Sequence, residues 1–445
     1  MSAKNQTVPS SRRAFLKQSG VLTVGLAFTA AVPKVHAAEN NTINVGLVGC
    51  GGRGGGAIMQ AMSTEGPKKM VVAADVVPQK ASRLLASVKE QFSNDVDPNA
   101  QQFTGLDGYK HAIDAVGPGG VILLCTAPAF RPIHVEYAIA KGVNVFMEKA
   151  FAVDAPGVRR VIAAGELAKQ KNLKIVGGLM SRHNIPLQRA IEQLHNGIIG
   201  ERITCWAYRQ HEAVGLAPRQ EGESIVAHQI RNYSCFTWLN GSFILDWLIH
   251  NLDVCCWAKG AYPVSAQGQG GRQVRTIKDQ LFDHYAVEYT FADGTRLFAQ
   301  GRHQNNTWGC FQSTIHGATG CAVIGEGVRE PRIYRGYNPV AANLIWEYKD
   351  GPKRDQYQIE HDVLFDCIRN DKPVNEAERC AKSAMVGILG RMASETGQTI
   401  TWDTAINSTA ELAPNLEKLT MDGPAPVMPD ENGDYPIAMP GITTI

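Results

Sequence analysis

The stretch Leu245–Trp257, LDWLIHNLDVCCW, is apolar except at a few positions, three of which carry side chains that can hold or move protons. Asp246, His250 and Asp253 stand at i, i+4 and i+7, one face of a 3.6-residue helix. Carboxylates and imidazoles are seldom buried without partners. The face must therefore meet complementary polar groups or a cavity. A carboxylate one turn from an imidazole suits general acid–base work, and imidazole titrates near neutral pH unaided. The plainer alternative is a core histidine with satisfied hydrogen bonds. A second reactive group, Lys149, follows an apolar strand-like run, VNVFMEKA (Val143–Ala150), with Glu148 beside it. Its plainer alternative is a solvated lysine at a strand end.

The elements that would position these groups begin at Ile43–Val48, an apolar strand. It runs into Gly49-Cys50-Gly51-Gly52-Arg53-Gly54 and then a helical pattern. This is G-x-G-x-x-G in its required strand–turn–helix setting. Gly49 permits the tight turn, Gly51 lets a pyrophosphate approach the backbone, and Gly54 lets the helix pack on the strand. The helix N-terminus, with Gly52 and Arg53, offers free N–H groups to phosphates. A second strand, KMVVAAD, ends at Asp75, 21 residues past Gly54, where a ribose-binding acid is expected. A carboxylate there accepts from a 2′-hydroxyl and repels a 2′-phosphate. The following Val76-Val77 supply no Arg, so NAD is expected over NADP, with Lys80 keeping the question open. Three further strands, Gly119–Ala127, Val143–Ala150 and Leu173–Leu179, alternate with helices. Their ends bring Thr126, Pro128, Glu148, Lys149 and Arg182-His183 to the ligand side of a parallel sheet, and His134 is a further cofactor-site candidate.

After about residue 180 the segments become long, β-branched and aromatic, as in RITCWAYRQH and HYAVEYTFADGTRLFAQGR, with a hairpin signal at Asp293-Gly294. Two late helices are expected near Gln358–Asn370 and Glu376–Gly397, and the tail from Asp403 reads as an extended arm. The expected fold is α/β: a doubly wound parallel, Rossmann-type sheet over 41–177, then an α+β domain over 178–402 with a large, mostly antiparallel sheet for substrate and oligomer contacts, then the arm over 403–445.

The first 37 residues read as an export signal. Arg12-Arg13 precede Phe15-Leu16-Lys17, a moderately apolar run follows, and Val35-His36-Ala37 supplies a cleavage pattern. This predicts twin-arginine export to the periplasm, with the export machinery as a partner. Removing the segment takes away five cations and no acid, so the formal charge of +2 becomes −3. That balance argues against a nucleic-acid partner. The ten Cys have no metal-ligand spacing and read as small core residues; no metal is expected.

The glycine motif, MEKA at a strand end, and Asp246-x-x-x-His250-x-x-Asp253 together resemble the glucose–fructose oxidoreductase / inositol dehydrogenase / MocA family over residues 41–400. The family pattern carries Pro where Ala150 stands, and the segment QIRNYSCFTWLNG before the helix resembles an exported branch. The resemblance implies that Lys149, Asp246 and His250 line a nicotinamide site where a sugar or polyol hydroxyl is oxidised, and that the chain forms a dimer or tetramer through an open sheet face. On chemical grounds, a Lys with a pKa near 10.4 is a poor base, although burial beside a positive nicotinamide ring disfavours its ammonium. His250 is read as the main base, Lys149 as the group that polarises the reacting oxygen, Asp246 as the group that orients imidazole or substrate, and Asp253 as a structural partner. The reverse assignment of base stays open. Arg182, His183, Arg231, Asn232, Tyr233 and Trp238 are candidate sugar-binding groups; the plainer reading of each is a surface or core contact. Export also predicts a tightly held, recycled cofactor. Two alternatives remain: an NAD-dependent glycoside hydrolase working by transient oxidation, and a non-catalytic NAD-containing sugar-binding protein. The Glu-Val-Pro and Tyr-Pro-Thr-His runs expected of the first are absent.

Overall fold

A computed structural model describes residues 42–325 and 330–444. The export signal expected over residues 1–37 lies outside the described residues.

Six parallel strands form the first sheet: β1 (Ile43–Val48), β2 (Lys68–Asp75), β3 (Val96–Thr104), β4 (Val121–Leu124), β5 (Asn144–Met147) and β6 (Ile175–Gly177), in the order β3-β2-β1-β4-β5-β6. Strands β4, β5 and β6 are buried at every position, as expected where helices cover both faces of a parallel sheet. The chain changes direction across the sheet between β1 and β4, which opens a crevice at their carboxyl ends. This is the expected Rossmann-type half. The sequence reading has no strand at β3. Its residues, VDPNAQQFT, are largely polar and include Pro98, and only β2 pairs with it. An edge strand with one open side needs no apolar run, so no such run marks it.

Among the described residues the second sheet has nine strands: β7 (Arg202–His211), β8 (Ser265–Gly271), β9 (His284–Thr290), β10 (Arg296–His303), β11 (Cys310–Gly317), β12 (Gly320–Gly325), β13 (Arg332–Arg335), β14 (Leu344–Glu347) and β15 (Ile400–Thr401). Their order is β14-β13-β12-β11-β7-β10-β9-β8-β15, and only β7 and β10 pair in parallel. The β9–β10 hairpin turns at Asp293-Gly294, where Gly294 takes a positive φ of 84°. On β7, Cys205 and Ala207 are buried while Trp206 and Tyr208 are half-buried, the period-two signature of a sheet with one covered face. Helices Ile249–Lys259 and Ala377–Thr396 cover that face, and the second is buried along most of its length. The late helices fall at Gln356–Arg369 and Ala377–Thr396. The arm starts inside a short helix, Trp402–Asn407, and is otherwise irregular apart from one turn of 3₁₀-helix at Leu416–Lys418.

The stretch around His250 departs from the single α-helix expected. Ile244–Leu248 is a π turn that leads into the α-helix Ile249–Lys259. Such wide turns insert a residue and re-aim the side chains around them. All ten Cys are free, eight of them buried. Among the described residues no helix is long and apolar enough to cross a membrane.

Candidate active site

A cavity of about 640 Å³ opens at the carboxyl ends of β1, β2, β4 and β5 and extends to residues of the second sheet. Its first wall is the glycine turn. Gly49 has φ +93°, and a Cβ there would stand 2.7 Å from the Cys125 backbone. A Cβ on Gly54 would come within 1.9 Å of the Gly49 carbonyl oxygen, so helix and strand touch only because Gly54 has no side chain. At Gly51 and Gly52 a Cβ would meet nothing within 4 Å, so that part of the cradle is open. The helix Gly52–Met62 starts at Gly51 with no side-chain cap, which leaves its first amides for a ligand. These features fit a pyrophosphate.

Asp75 ends β2 on the cavity wall. Its carboxylate accepts from the Cys50 amide at 2.7 Å and the Val77 amide at 2.9 Å, which fixes its orientation. Arg131, fully buried, donates to the Leu124 and Thr126 carbonyls, both at 2.6 Å, and to Thr126 Oγ1 at 3.2 Å. It thereby shapes the turn from Thr126 to Pro128. His134 stacks on Tyr109 at 4.0 Å and lies 3.3 Å from Thr126 Oγ1; burial first, then the Arg131 cation, keep it neutral. Glu148 forms an ion pair with Arg53 at 2.9 Å, and Arg53 lies over the Tyr357 ring.

At the far end, Lys149 leaves β5 and meets the π turn. Its ammonium lies 3.0 Å from Asp246 Oδ1 and also donates to the Asp246 carbonyl. Asp246 Oδ2 accepts from Ser234 at 2.9 Å. The Lys149–Ala150 peptide is cis. Burial pushes the lysine down, but the Asp246 carboxylate, with Tyr233 and Glu148, outweighs it, and the net shift is upward. The depression expected from burial is thus overturned in the protein alone, because a counter-carboxylate sits at hydrogen-bond distance. His250 does not titrate near neutral pH either. Burial, then the Lys149 and Arg209 cations, push it down to about 3, against a smaller opposing effect of Asp253. Its Nδ1 is buried without a hydrogen-bond partner, which leaves Nε2 as the ring nitrogen with access to the cavity. Among the described residues no hydrogen bond joins Asp246 to His250; Asp246 orients the lysine instead.

Gly49, Gly51, Gly52, Arg53, Gly54, Asp75, Thr126, Pro128, His134, Glu148, Lys149, Asp246, His250, Arg231 and Tyr233 all line this one cavity. Four sequence candidates do not. Arg182 makes a two-pronged pair with Asp253, at 2.7 and 2.8 Å, behind the helix. His183 faces Glu376 at 3.7 Å. Asn232 accepts from the Ala217 amide at 2.8 Å and donates to the His228 carbonyl at 3.0 Å, bracing a loop. Trp238 is core: its Nε1 donates to Gln229 at 2.6 Å and its ring packs edge-on against Phe130. Residues absent from the sequence reading also reach the cavity. Arg209, Trp247 and Phe311 form a stack, with the guanidinium 5.0 Å from the Trp247 ring and 4.2 Å from the Phe311 ring. They come from three separate segments, and the Trp247 indole, ten residues before Trp257, is hidden by an apolar background.

No family model matches the chain. It is 30% identical over 259 residues to inositol 2-dehydrogenase of Pseudomonas fluorescens, an alignment that covers 58% of this chain and 66% of that protein, just under two thirds of the relative's length. The resemblance is to inositol dehydrogenases. Solved structures match the fold over a larger share of the chain. Scyllo-inositol dehydrogenase of Lactobacillus casei, with bound NAD(H) and scyllo-inositol, superposes with a TM-score of 0.62 at 17% identity, covering 81% of this chain and 99% of that one. Aldose–aldose oxidoreductase of Caulobacter crescentus, complexed with glycerol, gives 0.63 at 17% identity, with the same coverage. At such identities the superpositions establish the α/β fold with its Rossmann-type half and large second sheet.

Proposed function

We propose that the protein is an NAD-dependent oxidoreductase acting on a CH–OH group of a polyol or sugar. One observation carries this reading: Lys149, Asp246 and His250, 101 residues apart at their extremes, converge in the cavity that also contains the glycine turn and Asp75. The inositol and aldose enzymes it resembles act on such substrates by name. The glycine turn and its uncapped helix would hold the pyrophosphate, and Asp75 the adenosine ribose. The nicotinamide supplies the hydride acceptor when bound.

The chain's own residues supply the rest. Lys149, kept charged by Asp246, donates to the substrate hydroxyl oxygen and favours its alkoxide form. His250, neutral at physiological pH, takes the hydroxyl proton at Nε2. Asp246 and Ser234 hold the lysine in place rather than the imidazole. The charged lysine cannot take a proton, which supports it as the polarising group; neutral His250 is the open acceptor of the two, a weak one while its surroundings hold it near 3.

The twin-arginine pattern supports export to the periplasm by that machinery, and scarce free NAD there supports a cofactor loaded beforehand, tightly held and reoxidised in place. The uncovered sheet face, where Trp206 stacks on Phe298 at 4.6 Å and Trp308 is 63% exposed, supports homo-oligomers. A panel of inositols, sugars and glycosides should give reduced-nicotinamide absorbance with at least one class. Denatured protein that releases no nicotinamide nucleotide, together with nucleotide-free protein that binds none by calorimetry, would overturn the reading, and aglycone release from a glycoside would replace it by transient-oxidation hydrolysis.

A further inference from the structure

We propose that the short helix Ile225–Arg231 and the C-terminal arm behind it form a fixed roof over the cofactor cavity, so that a loaded dinucleotide leaves only when the arm lets go. This rests on the dinucleotide-binding reading above. Ala227, Ile230 and Arg231 of that helix, with Glu223 before it and Met421 of the arm, line the same cavity as Gly51 and Asp75. A seven-residue helix is not stable alone, so its neighbours must hold it.

The arm holds it. Ser224 caps the helix by accepting from the Ala227 amide at 3.1 Å, and its hydroxyl donates to the Met421 carbonyl. Gln229 is wholly buried and uses both ends of its amide. Nε2 donates to the Val427 carbonyl at 2.8 Å, and Oε1 accepts from Trp238 at 2.6 Å. Arg231 grips Glu223 through two hydrogen bonds of 2.7 Å, closing the loop before the helix. The arm is itself pinned along its length. The Leu412 amide donates to Asp154 at 3.0 Å, Glu417 pairs with Arg160 at 2.8 Å, and the Gly441 amide donates to the Thr396 carbonyl at 2.8 Å.

An apolar cluster then joins roof to floor. Ile230 packs in it with Leu416, Leu419 and Val427 of the arm and with Leu106 and Ala127 from the strand ends of the first sheet. Opening the roof therefore breaks these hydrogen bonds and exposes this cluster in one step, which places dinucleotide exchange among slow, sub-global openings. The two parts are far apart in sequence, at about residue 230 and about residue 420, so neither covers the cavity unless the other is in place.

The test uses the full chain loaded with labelled NAD and chased with excess unlabelled NAD, together with hydrogen exchange in the presence and absence of NAD. The wild type should exchange its nucleotide slowly, and Ser224→Ala and Gln229→Ala should each release it at least about tenfold faster with the fold retained by circular dichroism. NAD should slow amide exchange in Ile225–Arg231 and in residues 416–428 together. Equal release rates in wild type and Ser224→Ala, or protection confined to the glycine turn and β2, would overturn the roof. If Gln229→Ala fails to fold, Ser224→Ala and the wild-type exchange pattern still decide. A chain that releases no nicotinamide nucleotide on denaturation and, free of nucleotide, binds no NAD by calorimetry would instead overturn the dinucleotide reading itself.

Discussion

Asp246→Asn tests the assignment of charge at the reaction centre. The wild-type carboxylate lies 3.0 Å from the Lys149 ammonium, and the two side chains are 4% and 21% exposed. At an effective dielectric of about 20, two charges at that distance attract by about 5 kcal/mol. Partial access to water at the lysine reduces this, and breaking a buried pair from one side costs roughly 3 kcal/mol or more. With the carboxylate gone, burial is the largest remaining influence on Lys149, and its ammonium becomes easier to deprotonate. Losing about 3 kcal/mol of the arrangement that polarises the substrate oxygen corresponds to about a hundredfold in kcat/KM at neutral pH. The pH dependence is the sharper readout. In the wild type Lys149 stays charged and His250 stays neutral across roughly pH 6 to 9, so neither group gives a limb there. In the variant kcat/KM should fall as the pH rises through the alkaline part of that range, where the lysine discharges. The sign follows from the upward wild-type shift: the pair stabilises the fold fully below the ordinary lysine pKa and is lost only above the raised one. The melting difference between wild type and variant should therefore be constant in the acid part of that range and narrow where the variant's lysine discharges, because its unfolded chain keeps the proton there. Steady-state kinetics by nicotinamide absorbance, with NAD affinity measured separately, gives the result. A variant with wild-type rate and a flat profile would refute the claim that Asp246 holds the lysine charge.

Three further outcomes are expected. His250→Ala should lower kcat by about 10²–10⁴ while leaving NAD affinity unchanged by calorimetry; an intact kcat would remove histidine from the chemistry. Asp75→Ser should raise KM for NAD by about tenfold and lower that for NADP, since it removes a ribose acceptor and a repelling charge; an unchanged NAD:NADP ratio would count against the ribose assignment. His250 and His361 are pushed down to about 3 and His303 to about 4, chiefly by burial, and burial keeps His134 neutral too. The unfolded chain therefore takes up protons below about pH 6.5 that the native protein refuses, and stability should fall from there toward acid. A melting temperature that stays level down to about pH 4.5 would contradict this, because the depressed carboxylates Glu376 and Asp283, both near 2, act only lower down.

Much of the dinucleotide half is legible because its parts are local. The glycine turn, the strands and Asp75 lie within 33 consecutive residues, from Ile43 to Asp75. Lys149 is legible as a strand end, and the Asp246–His250 spacing survives a π turn because both residues still reach the cavity. Arg182-His183 follow a strand end too, yet β6 finishes at Gly177 and a 3₁₀ turn carries them behind the sheet, to Asp253 and Glu376. Trp238 has the composition of a sugar platform but buries its ring and satisfies its N–H inside the roof. The Arg209–Trp247–Phe311 stack depends on a strand, a helix start and another strand meeting, and no single window of sequence contains it. The histidine pKa depends on that same assembly, since Arg209 adds to the cations that depress it.

The clamp formed by Arg182, Asp253 and Ser383 bears on how His250 is held. Asp253 lies three residues past His250, and it ties that helix to the turn after β6 and, through a 2.7 Å bond from Ser383, to the helix Ala377–Thr396. Pulling the His250 helix away from that turn or from the helix Ala377–Thr396 would strand a carboxylate that is 1% exposed, at a cost of about 3–5 kcal/mol. The imidazole one turn earlier is thereby anchored from behind, so its place in the cavity wall is set by buried contacts that no arriving guest has to touch.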